Sequence, residues 1–139
     1  MKNIFYFLTI IIVSISCGKF GGDRSLGNNI KVVEGSSEED RAIIYCPDEN
    51  KPCSEGITLI QHVDEVKSNH DWTLVRTIDK DKKESYWIIN MDFAAGDKDC
   101  KTADCGDYVK NFLFGPLTLE DFNGAREEFD ITLDLPKKQ

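Results

Sequence analysis

Residues 85–93 (SYWIINMDF) alternate along an extended chain. Trp87, Ile89, Met91 and Phe93 fall on one side, and Tyr86, Ile88, Asn90 and Asp92 on the other. The first set is wholly apolar and is expected to face a core. Residues 72–78 (WTLVRTI) alternate in the same way, and the charged stretch 79–84 (DKDKKE) lies between the two runs. Residues 72–93 therefore predict a β-hairpin. Weaker strand signals lie at 30–33, 41–46 and 109–114 (VKNFLF). A further one runs over 57–66 (ITLIQHVDEV), where 63–66 is open to a helical turn.

Beyond Gly115 and Pro116 the period changes. Leu119, Phe122, Ala125 and Phe129 recur at helical spacing, behind Thr118 and Asp121 placed as a capping box. The spacing predicts an amphipathic helix of about three turns over 119–129, anchored by Phe122 and Phe129. Gly124 weakens it by ~1 kcal/mol relative to alanine. Ile131 and Leu133 suggest a last short strand. The expected class is α+β: a small antiparallel sheet of about five strands, one C-terminal amphipathic helix, and disulfide bracing.

The start of the chain follows another rule. Lys2 precedes a run of ten residues, 4–13 (IFYFLTIIIV), apolar except for Thr9, and the small residues Ser14 and Ser16 follow. This order is that of a secretory signal. The run is too short to span a bilayer core, which takes about 20 residues. Ile15-Ser16-Cys17-Gly18 resembles the end of a bacterial lipobox, with Ser14 standing where leucine is commonest. The resemblance implies lipid attachment at Cys17 and cleavage before it; plain secretion and an uncleaved anchor are the alternatives. Two or three acyl chains, at ~0.8 kcal/mol per buried CH₂, hold a protein firmly on a membrane. The expected organisation is a signal at 1–16, a lipidated flexible tether at 17–29, one domain at 30–135 and a disordered tail at 136–139. Gly18 and Lys19 after the cysteine, rather than aspartate, favour the outer membrane where the host has two.

Composition changes the picture in two ways. Among 139 residues the chain carries 17 bases and 25 acids, for a net charge of −8, and cleavage would remove only the base Lys2. Such acidity argues against nucleic acid, whose binding needs lysine and arginine against phosphate. It suits a basic protein partner, or simple solubility. With Cys17 assigned to lipid, the cysteines left are Cys46, Cys53, Cys100 and Cys105. In an exported chain four cysteines read as disulfides. Pairing Cys46 with Cys53 and Cys100 with Cys105 is favoured because each pair brackets a polar turn; links between the two segments stay open. A four-thiolate zinc site is the alternative, at spacings wider than most zinc knuckles.

Catalytic chemistry is weakly signalled. His70 precedes Asp71, as an oriented base would, but no serine or cysteine stands in a nucleophile setting. His62 and His70 are eight apart, which suits no two-histidine metal site. Asp92, Asp97, Asp99, Asp104 and Asp107 crowd one loop, yet the order of an EF-hand fails there. The expectation is a binding protein rather than an enzyme, without a cofactor. Asp97, Asp99, Asp104 and Asp107 are its candidate partner contacts.

The blocks YWII at 86–89, FGPLTLEDF at 114–122 and REEFDI at 126–131 are similar to the C-terminal part of small uncharacterised bacterial lipoproteins. The resemblance covers about residues 57–131, and the cysteine-bearing stretch 94–108 departs from it. It implies a compact lipid-anchored domain and no established activity. Two roles follow from this reading. One is capture of a basic envelope or toxin protein, as an immunity-type or hydrolase inhibitor. The other is a structural or assembly accessory of an envelope complex.

Overall fold

The computed structural model describes residues 23–46, 56–92 and 104–137. They form eight strands in two four-stranded antiparallel sheets, with helices near the C-terminal end. The first sheet runs β1 (Arg24–Gly27), β2 (Ile30–Val33), β3 (Ala42–Tyr45) and β4 (Ile57–Ile60), each paired with the next. The second runs β5 (Val63–Ser68), β6 (Trp72–Ile78), β7 (Glu84–Asn90) and β8 (Leu113–Leu117) in the same manner. A short helix α1 (Asp104–Lys110) precedes β8, and α2 (Leu119–Glu128) follows it.

The expected hairpin at 72–93 is present as β6 and β7, with Leu74 opposite Ile88 and Val75 opposite Trp87. Its turn is set by Asp79, whose Oδ1 accepts the backbone N–H of Asp81 and of Lys83, both at 2.9 Å. The single sheet of about five strands is corrected to two sheets. Residues 57–66 do not make one strand ending in a helical turn. They break at Gln61 and His62 into β4 and β5, which belong to different sheets. His62 makes the corner with φ +57°, and the Val63 N–H donates back to the Arg41 carbonyl at 3.0 Å.

Two sheets change where the core lies. Ile30, Val32, Ile43, Tyr45 and Ile60 of the first sheet pack against Val63, Val66, Val75, Ile89 and Met91 of the second. Leu74, Tyr86 and Ile88 point the other way and are covered by Phe122 of α2 and by Ile131 and Leu135 beyond it. The second sheet is thus the middle of three layers, and β6 is buried at all five central positions, Thr73 to Thr77. Only one side of β7 was expected to face a core; both do. A bulge serves the same end in β5. Glu65 stands opposite Arg76 and Val63 opposite Thr77, so Asp64 is an extra residue. In a regular strand Val63 and Val66, three apart, would fall on opposite faces; the bulge puts both toward the core.

Asp64 also receives the one buried charge of the middle layer. Arg76 Nε donates to its Oδ2 at 2.7 Å, and Arg76 Nη1 donates to the Pro136 carbonyl at 2.9 Å. The Arg76 side chain is 9% exposed and that of Asp64 35%. Pro136, expected in a disordered tail, is held by this bond; residues 138–139 lie outside the described residues.

Three further expectations are corrected. Residues 24–29 are not tether: Arg24–Gly27 pairs with β2 through a two-residue turn in which Asn28 and Asn29 have φ +50° and +62°. That is the left-handed pair a type I′ hairpin needs, and asparagine tolerates it. Residues 109–114 are not a single strand, since Val109 lies in α1 and β8 begins at Leu113. Residues 131–137 belong to no strand, so Ile131 and Leu133 add packing rather than a strand.

The C-terminal helix is as the spacing predicts. Thr118 caps it, accepting the Asp121 N–H at 3.1 Å. It ends in a Schellman turn: the Ile131 N–H donates to the Arg126 carbonyl at 2.8 Å, with Asp130 at φ +53°. An added Cβ at Gly124 meets nothing within 4 Å. Gly124→Ala should therefore raise the unfolding free energy by about 0.5–1 kcal/mol, read as a higher urea midpoint at unchanged slope.

Cys46 ends β3, is buried, and is disulfide-bonded. Cys17, Cys53, Cys100, Asp97 and Asp99 lie outside the described residues. Among the described residues no helix is long and apolar enough to cross a membrane.

Candidate functional site

The outer face of α2 concentrates charge of one sign. Glu120, Asp121, Glu127 and Glu128 are all exposed, and Asp130 follows them at the helix end. The first two suit the positive end of the helix dipole, but Glu127 and Glu128 stand at its negative end, against the helix's own preference. No ion pair among the described residues neutralises Glu120, Glu127 or Glu128.

The base within α2 is turned away from this face. Arg126 Nη2 donates to the Leu133 carbonyl at 2.6 Å, and Nη1 pairs with Asp134 at 3.1 Å. Its guanidinium lies 5.7 Å from the Phe122 ring centroid, and its side chain is only 19% exposed. Packing thus draws the cation into the third layer and leaves the carboxylates outside. Partly exposed apolar groups lie at the flank of the helix. Leu119 is 54% exposed and Phe114 37%. Phe114 lies 5.2 Å from Phe129, which stacks on Trp72 at 5.5 Å.

Of the contacts expected in the acidic loop, Asp97 and Asp99 lie outside the described residues. Asp104 opens α1, and Asp107 is exposed on the same helix, paired with Lys110 at 3.2 Å. The acids of α2 are legible in the sequence, but a helical period alone does not single them out. The cue for them was Arg126, whose spacing from Phe122 puts it on the buried side.

The histidines stand apart. His62 Nδ1 lies 3.1 Å from the Glu39 carbonyl, beside a groove of about 470 Å³ that Arg41 and Lys82 also line. His70 is exposed, with Nδ1 3.0 Å from Asp71 Oδ1. That hydrogen bond, with the carboxylate charge, raises the His70 pKa above its ordinary value. The protonated form is favoured in the folded state, so its small contribution to stability is complete below the unfolded pKa. It is lost as pH rises through the raised one. In an NMR titration His70 should move above pH 6.5, and Asp71→Asn should bring it back; an unchanged midpoint would contradict the pairing. Among the described residues no three His, Cys, Asp or Glu side chains are placed to share a metal ion.

Comparison with family models, with curated proteins and with solved structures finds no match to this chain.

Proposed function

We propose that the chain is a lipid-anchored envelope protein whose acidic domain docks a basic protein. In this reading Cys17 carries the lipid, 1–16 is the signal, and residues between Cys17 and β1 form a short tether. The tether is shorter than 17–29, because β1 already belongs to the domain. The pairs Cys46–Cys53 and Cys100–Cys105 brace the domain, and no cofactor or catalytic step is involved. Anchorage is to the outer membrane where the host has two.

The observation that supports docking is the outer face of α2. It is uniformly acidic because Arg126 is folded inward, and it keeps Glu127 and Glu128 where they work against the helix. Carboxylates placed against local stability suit electrostatic capture of a cationic partner, with steering that weakens as salt rises. The exposed Phe114 and Leu119 would supply apolar contact beside the charges, since a docking surface needs both. The test is capture from envelope extract on the immobilised chain. One basic protein should be enriched at low salt and released as salt is raised; no enrichment would overturn the reading.

The same two apolar side chains favour the second reading, an accessory seated within an envelope complex. In that case deletion of the gene weakens the envelope without altering resistance to any toxin.

A further inference from the structure

The two sheets part along one side. There β1, an edge of the first sheet, faces β5, an edge of the second, across a groove of about 610 Å³. Both walls are strand edges with no further strand on them among the described residues. An antiparallel strand turns alternate N–H and C=O groups away from its partner, so such an edge offers unpaired donors and acceptors. Leu26, Val66 and Met91 supply apolar lining.

The charge of this groove is opposite to that of the chain. Arg24 and Lys67 line it, against Glu65 as the one carboxylate, and His70 on the same lining is paired with Asp71. Arg24 stands opposite Val32, a buried core residue, so its side chain leaves β1 on the core side, over the gap. No salt bridge among the described residues involves Arg24 or Lys67. The Arg41 carbonyl already accepts the Val63 N–H, and Arg41 Nη1 donates to the Asp64 carbonyl, which leaves residues 65–68 as the open part of the β5 edge. A cationic, apolar-lined gap beside it matches one kind of occupant.

We infer that the β1–β5 groove accepts an extended, acidic peptide segment as an added strand on β5. Backbone pairing would supply much of the affinity; Arg24 over the gap and Lys67, which leaves β5 on the face of Leu74, would favour acidic side chains on either face of the added strand. The open part of β5, residues 65–68, is matched by a strand of about four residues, roughly 13 Å. The site is distinct from the acidic face of α2, so each is tested without the other.

The probes are two capped hexapeptides, one alternating valine with glutamate and the other valine with lysine, titrated into the full chain by fluorescence anisotropy. The glutamate peptide should bind, and the lysine peptide should bind at least tenfold more weakly. Arg24→Glu with Lys67→Glu should reverse that preference, with thermal unfolding unchanged because both side chains are exposed. Amide hydrogen exchange should slow along β5 when the glutamate peptide is bound. Equal binding of the two peptides, no binding up to millimolar concentration, or binding without slowed exchange at β5 would each overturn the inference. So would concentration-dependent self-association that protects the same amides, since a second copy would then fill the groove.

Discussion

Phe122→Ala should lower the unfolding free energy by about 3–5 kcal/mol, the range for emptying a buried aromatic site. Phe122 is the one buried side chain of α2, at 2% exposure. Its ring sits 5.0 Å from that of Tyr86, packs with Leu74 and Ile88, and lies beneath Arg126. Nothing else on the helix reaches so deep: Leu119 is exposed, and Ala125 is small. The loss should appear as a lower urea midpoint. Because the helix docks through this ring, the variant should also lose helical signal before the sheets unfold. A change below about 1 kcal/mol, the size expected of a surface site, would contradict the third layer.

Gly115→Ala should be nearly as damaging, by roughly 2–5 kcal/mol from backbone strain and overpacking together. Gly115 has φ +151°, a conformation L side chains rarely adopt. A Cβ there would lie 2.5 Å from Cε3 of Trp87 and 2.9 Å from the Tyr86 carbonyl oxygen. The close approach has a cause in the register. Tyr86 stands opposite Leu117 and Ile88 opposite Phe114, so β8 fits an extra residue against β7 at this point. Only a residue without a side chain lets that bulge rest on the indole. Gly124→Ala provides the comparison within one molecule: the same substitution in open space should stabilise. If both substitutions proved neutral, the packing of β8 against Trp87 would be wrong.

The parts of this fold that were legible in the sequence are those whose local signals agree with their surroundings. Residues 72–93 alternate and are bridged by an Asp79 turn, and 118–129 carry both a cap and a helical period. What was missed depended on partners distant in the chain. The run Tyr86-Trp87-Ile88-Ile89 is apolar on both faces, as a strand covered on two sides must be. Its alternation marks one wholly apolar face, and nothing nearby in the sequence shows a second layer. Asn28-Asn29 is a hairpin signal, but it stands among glycines and polar residues that read as tether. His62 marks a corner through its φ, which no residue preference announces. Asp64 looks like a surface acid until the bulge turns it toward Arg76.

The acidity of the candidate site is legible in the sequence, but its grouping on α2 is not. Acidity pointed to a basic partner, and the crowded aspartates near 97–107 drew attention to the loop. The inward turn of Arg126 depends on Leu133, Asp134 and Phe122 being in position, so the acidic face of α2 emerges only from the packed third layer.

The most direct measurement compares capture by the native chain with capture by a chain carrying Glu120→Gln, Glu127→Gln and Glu128→Gln. These changes keep the helix, its Thr118 cap and the Phe122 anchor, and remove three exposed negative charges. The account predicts that the basic envelope protein retained by the native chain at low salt is absent from the variant eluate, with thermal stability unchanged or slightly raised. The same protein recovered from both chains in equal amount would contradict it.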